Sequence, residues 1–259
     1  MDWTIASFNV NGLRARLGIL GDWLAHNQPD AVCLQETKVQ DQDFPRQAVE
    51  ELGYHVAFHG QKSYNGVAIL SKRPADEHGH GFGELWDDDQ ARLLWAKLDG
   101  LWVINVYAPQ GRDPSDPAFA YKLEFFRRLR AWLEARFSPG EALVCCGDFN
   151  VAPQDIDLHD PVKLAGQVGC HPDERAAYAN VLDWGLEDVF RRLHPAQKQF
   201  TFWDYRLRGA LSRDLGWRID HILASAGLAP ACGQCLVDMA PRRLEKPSDH
   251  TPILARFSR

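Results

Sequence analysis

Carboxylates, carboxamides and imidazoles stand at the ends of apolar, strand-like runs at four well-separated places. These are Glu36 in LQET (34–37), Asp148 and Asn150 in GDFNV (147–151), Asp220 in RIDHI (218–222), and Asp249 with His250 in SDH (248–250). A polar group at the end of a buried strand is costly unless it is paired or holds a metal, so several converging from distant parts of one chain imply an assembled catalytic centre. Glu36, Asp148, Asp220 and Asp249 are hard oxygen donors of the kind that hold Mg²⁺ or Mn²⁺, with Asn9, Asn11 and Asn150 as neutral supplements. Zinc would call for more imidazole or thiolate. Because Mg²⁺ commonly takes only one or two protein carboxylates, some of these acids are left to move protons or orient a histidine. Singly, each has an ordinary structural role: Asp148 could cap a helix, Asn150 make an Asx turn, and Asp249 cap the loop before Pro252. Their joint occurrence at strand ends is what points to chemistry.

The elements that must position them read as an alternation of β-rich runs and helices. Strands are expected over 3–8, 31–35, 67–71, 91–98, 101–107, 142–148, 218–224, 236–239 and 252–257. The clearest helix is 119–137, in which Phe119, Leu123, Phe126, Leu129 and Leu133 recur at helical spacing while Lys122, Arg127, Arg130 and Arg136 populate the other face. Asp99-Gly100 favours the positive φ angles of a tight hairpin turn. Hairpins together with crossover helices imply mixed sheets, so the expected fold is a four-layered α/β sandwich, two packed sheets flanked by helices.

The chain has 259 residues, 45% hydrophobic and 25% charged, which is enough for a well-buried core within one domain spanning 1–259. No apolar run approaches the roughly 20 residues that cross a bilayer. The chain opens directly on a strand pattern, and the expectation is a bacterial cytoplasmic protein, a monomer with no membrane partner. Six cysteines, three of them inside apolar strand patterns, read as reduced small hydrophobes. Cys232-Gly-Gln-Cys235 has no second pair to complete a zinc site and reads as a turn before the strand at 236–239. The net charge is −6, with acids at 87–89 and 155–160 and cations at Arg14, Arg16, 206–213 and 242–246. Such a balance does not exclude nucleic acid, because contact with phosphates depends on where the cations converge rather than on their sum.

The motifs SFNVNGLRAR (7–16), LQETK (34–38), YNGVAILS (64–71), NVYAPQG (105–111), GDFNVAP (147–153), FTFWDYR (200–206), LGWRIDHIL (215–223) and PSDHTP (247–252) resemble the exonuclease III family of apurinic/apyrimidinic (AP) endonucleases nearly end to end. GDFN with SDH marks a wider superfamily of endonucleases, exonucleases and phosphatases, whereas NGLRAR with FTFWDYR is specific to its DNA-repair branch. The resemblance implies a Mg²⁺-dependent DNA-repair phosphodiesterase, with Mn²⁺ as a substitute, that cleaves double-stranded DNA 5′ to abasic sites and carries 3′ to 5′ exonuclease and 3′-end trimming activity on blocked ends, the alternative being an exonuclease-specialised relative with little action on abasic sites. It implies that Glu36, Asn11 and Asp249 hold the metal. Asn9 and Asn150 would hold the scissile phosphate and attacking water, Tyr107 would contact that phosphate, and Asp220 would orient His250 toward a phosphoryl oxygen. Asp148 matches the acid that handles a proton, either activating water or protonating the leaving oxygen. Arg14, Gln110, Lys122 and Arg206 fall among the expected DNA contacts, and Phe202, Trp203 and Trp217 where an abasic sugar would be pocketed.

Two positions depart from the family pattern. Trp217 stands where leucine is common, and His171 in Gly169-Cys170-His171-Pro172 is not the usual residue beside the DNA channel; Gly169, without a side chain, keeps that channel open. The same scaffold also carries phosphoinositide and sphingolipid phosphoesterases, and non-catalytic regulators. FTFWDYR speaks against the first, and the intact Asp148, Asn150, Asp249 and His250 against the second.

Overall fold

Strands with apolar residues on both faces need cover on both sides, and here each sheet has the other sheet on one face and helices on its second. The computed structural model describes residues 2–83, 86 and 90–258; the acidic run at 87–89 lies outside the described residues. Among the described residues twelve strands form two mixed six-stranded sheets. In the first, β1 (Trp3–Asn9) pairs in parallel with β2 (Ala31–Gln35), which pairs with β4 (Val67–Ser71) and then β3 (His55–His59). On its other side β1 pairs with β12 (Ile253–Phe257), which carries β11 (Cys232–Val237) at the edge. In the second sheet β5 (Glu77–His80), β6 (Leu93–Leu98), β7 (Leu101–Tyr107), β8 (Leu143–Asp148), β10 (Asp220–Ser225) and β9 (Leu186–Asp188) lie in that order, with β7 and β8 parallel.

Six α-helices lie among the described residues: α1 (Leu13–Asn27), α2 (Arg46–Glu50), α3 (Pro117–Arg136), α4 (Pro161–Leu164), α5 (Pro172–Leu182) and α6 (Val189–Leu193). One core, including Ile5, Cys33, Ile69, Val103, Val144 and Ile222, lies between the sheets. A second joins the outer face of the second sheet to α3 and α5, and a third joins the outer face of the first sheet to α1. The expected four-layered sandwich is therefore the observed one. The hairpin at Asp99-Gly100 has both residues at positive φ, 50° and 80°, with Leu98 opposite Leu101.

Two expectations are corrected. The Cys232–Cys235 segment is not a turn but the first part of β11, an edge strand that accommodates its Gly233 through a register shift between Cys232 and Gln234. Lys122 is not on the solvent face of α3; it is fully buried with Phe119, Phe126 and Leu129. All six cysteines are buried and free. No helix among the described residues is long and apolar enough to cross a membrane.

Candidate active site

The site lies where β1, β2, β7 and β8 run out at the same end of the sandwich. β8 reaches it by a close backbone approach: a Cβ on Gly147 would lie 1.8 Å from the carbonyl oxygen of Val106, so only glycine lets Asp148 follow at this spot. Asp148 then faces Asp220 directly across the β8–β10 ladder. Asn11, Glu36, Lys38 and Asn150 all adopt positive φ, between 46° and 53°. Such backbone costs free energy at a non-glycine residue, and its concentration around one cluster marks a place where geometry has been favoured over relaxation.

Asn9 ties the two sheets together, its Nδ2 donating to Glu36 Oε1 at 3.0 Å and to Asp148 Oδ2 at 2.9 Å. Tyr107 Oη donates to the same Glu36 oxygen at 3.0 Å. Asp148 Oδ1 accepts the backbone N–H of Asn150 at 2.9 Å, and Asn150 Nδ2 donates to the Ala108 carbonyl. His250 Nδ1 lies 2.8 Å from Asp220 Oδ2, while its Nε2 points toward Asp148 Oδ2 at 3.8 Å. Ser248 Oγ, donating to the Asn9 carbonyl and accepting from the His250 N–H, fastens the SDH loop to β1. Asn11 Nδ2 donates to Asp249 Oδ1 at 2.8 Å.

These contacts fix where protons sit. Burial pushes Asp148 up to about 7; Asp220 and Glu36 add to this and the His250 charge only partly opposes it. For His250 burial acts downward but is outweighed by Asp220 and Asp148, and the ring is pushed up to about 10, so it is a cationic donor at neutral pH. Burial also raises Glu36, yet the Lys38 ammonium at 2.7 Å more than offsets it and keeps the carboxyl below its ordinary value. Tyr107 is raised by burial and by Glu36 and Asp148, and stays a phenol.

Ligand atoms of Glu36, Asp148 and His250 lie within 4.8 Å of one another, a grouping that could hold a metal ion. With His250 held against Asp220, the carboxylate oxygens of Glu36 and Asp148 are the atoms that could take a metal ion, and an all-oxygen set suits a hard divalent ion. Lys38 donates to both Glu36 and Asn11, so a cation already spans two of the expected ligands. Asp249 adjoins that pair through Asn11.

The other expected residues divide. Phe202 packs 4.8 Å from the His250 ring and bridges to Trp217, whose ring a Cβ on Gly169 would meet at 3.0 Å. Phe202 and Trp217 are half-buried beside the centre, but Trp203 is only 1% exposed and packs with Phe200 and Ala210; it is core, because its indole is enclosed and donates to Asp214. Arg14, Gln110 and Arg206 are exposed, Arg14 donating to the Asp43 carbonyl and Arg206 paired with Asp204. Lys122 offers no surface charge, since its ammonium is fully buried against Glu174. Arg16, Arg242 and Tyr205, from three separate segments, converge beside the SDH loop: Arg16 and Tyr205 both donate to the Pro247 carbonyl, and Arg242 lies over the Tyr205 ring. Lys38 and Ser248 join the site without being singled out by the sequence motifs LQETK and PSDHTP that contain them; their adjacency to Glu36 and Asp249 is the signal the sequence holds.

The profile of the Endonuclease/Exonuclease/phosphatase family matches residues 6–250. The chain is 40% identical to exodeoxyribonuclease III of Haemophilus influenzae over 263 residues, covering 97% of this chain and 98% of that one. An AP endonuclease structure from Archaeoglobus fulgidus superposes with a TM-score of 0.95 at 45% identity, covering 99% of this chain and 100% of that one. The 3′ phosphatase NExo from Neisseria, bound to a product DNA hairpin, superposes with a TM-score of 0.95 at 40% identity over 99% and 100% of the two chains.

Proposed function

Because the chain belongs to the endonuclease/exonuclease/phosphatase family, we propose that it is a Mg²⁺-dependent DNA-repair phosphodiesterase that incises duplex DNA 5′ to abasic sites and trims blocked 3′ ends. The observation that carries this reading is the joining of Glu36, Asn9, Asp148, Asp220 and His250 into one network, with Phe202 and Trp217 beside it. The single profile match from 6 to 250 supports one domain, and the reading includes action as a cytoplasmic monomer.

A phosphodiester is anionic and repels a nucleophile, so hydrolysis needs charge neutralisation, an aligned water and stabilisation of the departing 3′ oxygen. A hard divalent ion held by Glu36, with Asn11 and Asp249 adjoining, supplies charge neutralisation when bound. The His250 imidazolium, fixed by Asp220, donates from Nε2 toward a phosphoryl oxygen, and Asn9 and Tyr107, which donate to Glu36 and Asp148, hold those carboxylates in place and could turn their donors to the phosphate. Asp148, with its pKa up to about 7, is poised to take a proton from water or return one to the leaving oxygen. Phe202 and Trp217 offer an apolar wall for a sugar that has no base to stack and is therefore flipped out at reduced cost.

The test is a 5′-labelled duplex carrying one abasic analogue, incubated with the protein in Mg²⁺ or EDTA. A single nick 5′ of the lesion, lost in EDTA, is expected. Shortening from the 3′ end without a nick would make the protein an exonuclease of the same family, and no cleavage would overturn the reading.

A further inference from the structure

Lys122 and Glu174 are both wholly buried and pair with each other. Each also bonds to the backbone of a loop at the site. Lys122 Nζ donates to the Asn150 carbonyl at 2.7 Å and the Gln110 carbonyl at 3.2 Å. The other carboxylate oxygen of Glu174 accepts the backbone N–H of Gly169 at 2.7 Å and of His171 at 3.1 Å. Gly169 in turn accepts the Ala152 N–H on its carbonyl at 2.7 Å, and lies so close to Trp217 that a Cβ on it would meet the ring at 3.0 Å. From Gly169 a continuous row runs through Trp217 and Phe202 to His250.

We propose that this buried pair is a positioning device with two separable halves, Lys122 holding the Asn150 loop for every reaction of the site and Glu174 holding the Gly169–Trp217 wall that selects the abasic sugar. The inference rests on the phosphodiesterase reading above and deepens it. A wall matters to an internal lesion, whose sugar must enter beside Trp217, and matters less to a terminal phosphate, which needs only the charged centre. Displacing a substrate contact by about 1 Å can cost a hundredfold in rate, so holding two N–H groups of a glycine-containing loop on one carboxylate oxygen is a sufficient lever.

Deleting one partner would leave a buried, unpaired charge, so the informative variants remove both charges and keep the volume. In Lys122→Met/Glu174→Gln the amide oxygen still accepts the Gly169 and His171 N–H groups while the Asn150 tether is lost. In Lys122→Met/Glu174→Leu both are lost. Incision of an abasic duplex and removal of a 3′-phosphate, measured with wild type alongside, should fall together in the first variant. Going from the first to the second, incision should fall by a further factor of about ten or more with 3′-phosphate removal changing by less than about threefold. Equal effects on the two substrates in both variants would overturn the proposal. Lys122→Met/Glu174→Met, whose flexible side chain fills the space without replacing the carboxylate oxygen that accepts those N–H groups, should show the same selective loss if the leucine variant does not fold, and an unselective loss there would also overturn it. Failure of wild type to incise would instead overturn the parent reading.

Discussion

Strand β10 carries two neighbouring polar residues, Asp220 and His221, that belong to two Asp–His pairs of opposite character. Asp220 holds His250 at 2.8 Å, and around that pair lie Asp148 and Glu36, carboxylates whose charges are only partly matched among the described residues. His221 lies 3.5 Å from Asp188, but here Arg218 is inserted: it donates to Asp188 at 2.6 Å, to Asp157 at 2.7 Å and to His221 Nδ1 at 2.9 Å. A guanidinium only donates, so His221 Nδ1 accepts and Nε2 carries the hydrogen given to the Val151 carbonyl at 2.8 Å. Burial would raise Asp188, yet the Arg218 guanidinium more than reverses this and holds it well below the ordinary carboxylate range. Arg191 also donates to Asp157, at 2.5 Å, so two guanidiniums meet two carboxylates and the same residue types make a balanced clamp on one side of β10 and an unbalanced cluster on the other. What separates structure from chemistry is the charge count, not the pair itself.

The largest expected effect comes from unbalancing the clamp. Arg218→Met leaves Asp188 buried without its cation, while Asp157 keeps Arg191, and should cost about 3–5 kcal/mol in urea unfolding at pH 7. Asp188 is depressed in the fold, so its contribution is present above its unfolded value of 3.8 and lost only as pH falls through its lower folded value. The penalty of the variant should therefore persist at pH 7 and shrink in acid. A variant as stable as wild type at pH 7 would break the contrast.

Unbalancing the other pair should change a pH profile instead. His250 is raised to about 10, so its proton is present through neutral pH and is lost only as pH rises through that value. Asp220→Asn removes the principal anion and lets burial lower the ring, so the alkaline limb of the rate profile should move down by at least about one unit. An unmoved limb would show that Asp220 does not hold the proton on His250.

The smallest effect sharpens the role of Lys38. Lys38→Met removes the cation that keeps Glu36 low, so Glu36 should ionise at higher pH and the acid limb should move up. The pair is partly exposed, and the rate at pH 8 should stay within about fivefold of wild type.

Much of this was readable in the sequence because the strand-end motifs are local: each of LQET, GDFNV, RIDHI and SDH shows an apolar run ending in a polar group. Lys122 was misread although the signal was present, since 119, 122, 126, 129 and 133 form a stripe at spacings of three and four with lysine on it. Nothing local shows that an ammonium is tolerable there, because its partners, Glu174 from α5 and the Asn150 and Gln110 carbonyls, come from elsewhere in the chain. The Arg218 clamp was not legible, because Asp157 and Asp188 lie 61 and 30 residues away and nothing local marks them as partners. The edge strand β11 was hidden by Gly233, which a bulge accommodates.

The most direct test of the unbalanced cluster is Asp148→Asn, followed by single-turnover incision of an abasic duplex in Mg²⁺ and by thermal melting at pH 4 and pH 8. Asp148 is raised in the fold, so it stabilises below its unfolded value of 3.8 and becomes a cost as pH rises through about 7. The account predicts a rate lower by about 10²–10⁴-fold, with a melting temperature above that of wild type at pH 8 and unchanged at pH 4. A rate near that of wild type, or a variant less stable at pH 8, would contradict it.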